Sequence, residues 1–145
     1  MNICLALVCL FWGSALYVLF RPTTLLMFHW ADALGLTSSI GEMRDWASGF
    51  DKYLPIWVVF SLPFALWVSA YLFFIESIWM NSTSLARHLW FYCIPLIALF
   101  TELAQIKHII PGNYDLVDLA AIIVAIILGF YMTSPYSQKK GVTET

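Results

Sequence analysis

The chain has 145 residues, of which 61% are hydrophobic and only 11% charged, and its formal net charge is −2. Soluble domains carry about 25% charged and about 45–50% apolar residues. The composition therefore indicates an integral membrane protein of one domain. The only basic pair, Lys139-Lys140, is too small for a phosphate-tracking surface, so nucleic acid is excluded as a partner.

Residues 2–20 carry no charge. At 1.5 Å rise per residue such a helix is about 28 Å long, close to the thickness of a hydrocarbon core. The run lacks a basic leading region, and Arg21-Pro22 ends it with no small-x-small cleavage site. It is expected to be a retained membrane helix rather than a signal peptide.

The long segment that follows contains Ser39-Ile40-Gly41-Glu42, the spacing of a capping box. Beyond it, Ile40, Met43, Trp46, Ala47 and Phe50 share one helical face, and Glu42, Arg44, Asp45 and Ser48 the other. This predicts a short amphipathic helix over 39–50. It lies in the membrane interface or packs on the end of the bundle.

A second span is expected over 57–79, its continuous helix starting near Pro63, because proline is tolerated in a first turn. Trp57, Trp67 and Trp79 fit interfacial or packing positions. A third span covers 87–105, with a kink expected at Pro95. A fourth covers 116–133. In it Ala121, Ala125 and Gly129 recur every four residues, a small-residue stripe that lets another helix come close. Residues 135–145 read as a polar tail.

The expected fold is thus an all-α, polytopic membrane protein, with four transmembrane helices in 1–134 and one interfacial helix. Four crossings put both termini on one side. The lysine and arginine balance is nearly even, and the tail pair tips the termini toward the cytoplasm. Cys4, Cys9 and Cys93 lie in apolar runs without C-x-x-C spacing, so they read as buried thiols acting as small hydrophobes. His29, His88 and His108 are scattered, with no i, i+4 ligand pair, and no phosphate loop or nucleophile motif is present. Neither a metal nor a cofactor is expected.

Even-numbered crossings gather particular segments at one membrane face. These are Arg21, the first loop, and the stretch "TELAQIKHIIPGNYDLVDLA" from Thr101 to Ala120. Glu102 and Gln105 share a face of the third span, and Asp115 and Asp118 have the same spacing at the start of the fourth. The "IPGNYD" turn makes these spans a hairpin that brings Glu102 and Asp118 to similar depth. Asp115 is placed to cap the fourth span. Carboxylates at membrane depth need a partner or a polar interior. Three readings stay open: an arginine–carboxylate clasp through Arg21, a ligand site, or a membrane enzyme using Glu102 and Asp118 as an acid/base pair, for which no substrate is indicated. In the second, Arg21 and Lys107 contact a phosphate or carboxylate, Glu102, Gln105 and Asp118 orient polar groups, and Trp46 and Trp57 line the interface.

Several stretches resemble the VanZ-like family of small bacterial membrane proteins. They are Leu62, Pro63, Leu66 and Trp67; Glu102 and Gln105; Asp115 and Asp118; Ala121 or Ala125; and Arg21-Pro22. The chain departs from that pattern at Phe64, where many relatives carry an acid, and at Gly112-Asn113, where many carry arginine or a similar residue. The resemblance implies a multi-pass protein of the bacterial inner membrane, connected with the cell envelope. The family's namesake is associated with teicoplanin resistance, but relatives occur widely without such antibiotics, and no reaction is implied. The expected partners are membrane lipids and a lipid-linked or headgroup-bearing envelope component. The rival reading is a small membrane effector or partner subunit in stress or phage defence, forming homo-oligomers through the Ala121/Ala125/Gly129 stripe.

Overall fold

The structure is a computed structural model and describes residues 2–79, 82, 84–110 and 114–133. Among these the chain is all-helical. The α-helices are α1 (Asn2–Phe20), α2 (Leu26–Ala33), α3 (Thr37–Ala47), α4 (Ile56–Phe60), α5 (Leu62–Ile78), α6 (Leu85–Ile106) and α7 (Leu116–Thr133), and a 3-10 turn covers Ser48–Phe50. Helices α1 and α6 are long and apolar enough to cross a membrane; α5 and α7 are shorter apolar helices. The polar tail, the proline–glycine–asparagine turn at 111–113 and the Lys139-Lys140 pair lie outside the described residues.

Helix α5 is the axis of the fold. It packs against α1, α6 and α7, and its buried residues, among them Pro63, Val68, Leu72, Phe73 and Ile75, point in every direction. A helix apolar all round is one enclosed by neighbours. Close approach on two sides depends on glycine. A Cβ on Gly13 of α1 would come 2.9 Å from the Trp67 ring, and one on Gly129 of α7 would come 2.4 Å from Leu72 Cδ1. The small-residue stripe of α7 is thus taken up inside the chain, with Ala125 and Gly129 buried and α5 packed against α7. Trp67 locks α1 further: its indole N–H donates to Ser14 Oγ at 3.3 Å, and its ring packs on Tyr17.

The stretch expected as the second span holds two helices, and the continuous one, α5, starts beside Pro63 as expected. The break falls at Ser61, between α4 and α5. Pro55 precedes α4, and Pro63 lies in the first turn of α5. Proline has no N–H, and its ring collides with the carbonyl four residues earlier, which favours the break between Phe60 and Leu62 just ahead of Pro63. Helix α6, by contrast, is continuous through Pro95, which is buried. The Tyr71 hydroxyl donates to the Trp90 carbonyl and ties α5 to α6.

The first loop holds two helices instead of one. The α2–α3 connection is a Schellman turn: Gly35, at φ +70, donates to the Asp32 carbonyl, and Leu36 donates to that of Ala31. With the turn fixed there, α3 begins at Thr37. The expected capping box is therefore not formed. Ser39 lies inside the first turn of α3, and the Thr37 hydroxyl donates to the Asp32 carboxylate at 2.8 Å. Helix α3 packs on α1 for a reason written at Pro22. The Val18 carbonyl would normally accept from the N–H of residue 22, which proline lacks. Arg44 Nη1 donates to that carbonyl instead, at 2.6 Å. Ala47 is buried, while Met43, Trp46 and Phe50 of the expected apolar face are exposed. The thiols also differ from expectation. All three are free, Cys4 is exposed on α1, and Cys9 and Cys93 are half-buried.

Candidate functional site

At the end of the bundle where α1 stops and α6 turns into α7, a cleft of about 730 Å³ opens, within the usual size range of ligand pockets. Its walls include Arg21, Thr101, Glu102, Gln105, Asp115 and Asp118, with Phe60, Phe64 and Tyr114 among the aromatic lining. Five of the six polar residues singled out from sequence therefore meet in one cavity.

Each is placed by local rules. The inward stripe of α6 is Phe91, Pro95, Ala98 and Glu102, all buried. Their spacing keeps them on one face. Glu102 thus occupies the position where a fourth core residue would stand, and only 7% of its surface is exposed. Gln105, three residues on, lies on the same side of the helix. Asp118 is in the first turn of α7. Asp115 does what its position implies: Oδ1 accepts from the Val117 N–H at 2.8 Å, capping α7. It caps and lines the cleft at once.

Arg21 follows the last residue of α1. Its guanidinium lies 4.7 Å from the Phe60 ring centroid and 5.5 Å from that of Tyr17, a cation–π setting on two rings. It forms no ion pair with the carboxylates. Among the described residues the ion pair is Arg87 with Glu76, at 2.7 Å. Buried polar atoms without a hydrogen-bond partner include Arg21 Nε, Glu102 Oε2 and Asp118 Oδ1, and the residues that carry these three all line the cleft. The clasp expected through Arg21 is thus not formed; the ion pair lies at the opposite end of α6.

Lys107 does not line the cleft. It is the exposed residue that ends α6, and five residues beyond Glu102 it points about 140° away around the helix. His108 follows in a left-handed conformation, φ 53. It donates to the Gln105 carbonyl, and Ile109 donates to that of Ala104, a second Schellman turn, with histidine where glycine is usual. Trp46 and Trp57 are exposed and outside the lining.

Sequence reasoning missed Thr101, Phe60 and Tyr114, whereas position 64, where the resemblance notes the loss of an acid, does line the cleft. Thr101 had a legible signal, since it precedes Gln105 by one helical turn. Phe60 had none, because its position depends on the break at Ser61.

A second cavity, of about 280 Å³, runs between α5 and α6. It is lined by Phe64, Trp67, Val68, Ile94, Ile97, Ala98 and Thr101. Phe64 and Thr101 belong to both cavities, so the groove adjoins the polar cleft.

Comparison with known proteins finds no family model, no curated protein and no solved structure that matches this chain.

Proposed function

We propose that the chain is a VanZ-like, multi-pass protein of the bacterial envelope membrane, and that its polar cleft binds the headgroup of a lipid or lipid-linked envelope component. In this reading α1, α4 with α5, α6 and α7 are the four spans, and the termini face the cytoplasm. The outward apolar surface supports it. Leu7, Phe11 and Trp12 of α1, Leu89, Trp90 and Phe100 of α6, and Val124, Ile127 and Leu128 of α7 are all exposed. So large an apolar exterior suits contact with lipid.

The observation that carries the binding reading is Glu102. A carboxylate this deeply buried is costly unless it meets a partner, yet Oε2 has none within the protein, and Glu102 lines a cavity together with Arg21 and Asp118, each of which also carries a buried atom without a partner. Such a group is destabilising for the fold and useful for a ligand. The polar residues of the VanZ-like resemblance, Arg21, Glu102, Gln105, Asp115 and Asp118, converge there.

The test is purification in a mild detergent with mass spectrometry of co-purifying lipids, for the wild type, Glu102→Gln and Asp118→Asn. Loss of a specific lipid from both variants, with folding unchanged, is the expected result. An unchanged lipid profile would overturn the reading. The alternative, an oligomerising effector in stress or phage defence, would need another surface of α7, because its small-residue stripe faces α5.

A further inference from the structure

The cleft and the α5–α6 groove differ in character and share two walls. Along one side of α6 the lining residues are Ile94, Ile97, Ala98, Thr101 and Gln105, with Glu102 beside them. They extend for about 16 Å at 1.5 Å per residue. The side is apolar at Ile94 and Ile97 and polar from Thr101 onward. Opposite it, Phe64, Trp67 and Val68 of α5 continue the apolar wall. Ile94 and Ile97 are 37% and 51% exposed, so the groove opens sideways toward the surrounding lipid of the proposed four-span protein. A polar chamber that continues into a lateral apolar channel is the complement of one amphiphile, not of a free headgroup.

The charges in the chamber restrict the headgroup. Three carboxylates, Glu102, Asp115 and Asp118, face one guanidinium, that of Arg21. Lys107, the nearby cation on α6, is not in the lining. A purely anionic headgroup would meet more like charge than opposite charge. A primary ammonium supplies three donors and no acceptor, which suits the carboxylates of Glu102 and Asp118 in the lining, each of which has an oxygen that no group of the protein satisfies. The unpartnered Nε–H of Arg21 suits an anionic oxygen beside it.

Building on the headgroup-binding reading, we propose that cleft and groove are one site for a single zwitterionic amphiphile. Its primary ammonium lies against Glu102 and Asp118, its anionic group lies at Arg21, and one hydrocarbon chain runs along the α5–α6 groove past Ile97 and Ile94.

The experiment is native mass spectrometry of the full chain in nonionic detergent, titrated with phosphatidylethanolamine, phosphatidylglycerol or O-phosphoethanolamine. The proteins compared are the wild type, Glu102→Gln, Ile97→Trp and Ile94→Trp. Ile97 is half-exposed, so tryptophan there fills the groove without entering the core, and Ile94→Trp repeats the block one turn away. The expected result is retention of phosphatidylethanolamine over phosphatidylglycerol. Glu102→Gln and both tryptophan variants should each weaken that retention by about tenfold or more, a difference of about 1.4 kcal/mol. The chainless O-phosphoethanolamine should bind the tryptophan variants as it binds the wild type. If Glu102→Gln loses the lipid while both tryptophan variants keep it, the cleft reading stands and the groove assignment is overturned. Preference for phosphatidylglycerol overturns the ammonium assignment alone. Unchanged retention in Glu102→Gln overturns both the cleft reading and this proposal.

Discussion

Glu76 and Glu102 are almost equally buried, at 4% and 7% exposed, but the two ends of the bundle treat them differently. Glu76 meets Arg87 at 2.7 Å. Arg87 also donates to the Ser82 carbonyl at 3.0 Å, and its backbone N–H is held by the Ser84 cap at 3.2 Å. Around that pair the packing is tight: Phe91 stacks edge-on with Phe130, and Gly129 admits Leu72. About 22 Å away along α6, taking 1.5 Å per residue from Arg87 to Glu102, the second glutamate borders a cavity. There an arginine is present but rests on two aromatic rings instead of closing a pair. One end spends its buried charge on structure; the other keeps it available. Paired burial of this kind is destabilising to break, whereas an unpaired buried group is destabilising while it stays.

Opposite responses to mutation would sharpen that contrast. The largest effect is expected for Arg87→Ala, which strands Glu76. Unfolding in detergent should show a loss of about 3 kcal/mol. A loss no larger than that of an exposed surface change would erase the distinction between the two ends. Next comes Gly129→Leu, which would force a side chain into Leu72. About 1–3 kcal/mol of destabilisation is expected from overpacking, read in the same assay. Asp115→Ala removes the cap of α7 and should cost about 1 kcal/mol. Ser84→Ala at the opposite end should cost a similar amount, and of the two only Asp115→Ala is expected to change lipid retention as well. Glu102→Leu should do the reverse of Arg87→Ala: stability unchanged or raised by about 1 kcal/mol as an unsatisfied group is removed, with lipid retention lost. A marked drop in stability would show that Glu102 serves the fold after all. The smallest effect is His108→Gly. Relieving a positive φ should raise the midpoint of thermal unfolding slightly, by the equivalent of about 1 kcal/mol or less.

Much of this was legible along the chain. Apolar runs located α1, α6 and α7 to within a residue or two of their ends, because apolar length is a local property. The helical spacing of Glu102 with Gln105, and of Asp115 with Asp118, anticipated residues that line one cavity. Asp115 as a cap is equally local. The first loop was less legible: the helix from Leu26 to Ala33 carries no clear two-faced pattern. The serine–glutamate spacing that suggested a cap lost to a Schellman turn at Gly35, because backbone hydrogen bonds there set where α3 begins.

What the sequence determined alone was therefore the membrane-like composition, the main helices and most of the polar residues that would meet. Each follows from hydrophobicity, helical periodicity and chain connectivity. Which charges pair was decided only in three dimensions. Arg21 could have joined Glu102 or Asp118, but the break at Ser61 positions Phe60 to hold its guanidinium. Arg87, which the sequence did not connect to any acid, is brought to Glu76 by the short α5–α6 connection. Gly13, unmarked in its apolar run, owes its role to the ring of Trp67 on another helix. Pairing depends on distances of a few ångströms between separate helices, and these are set by the packing around α5.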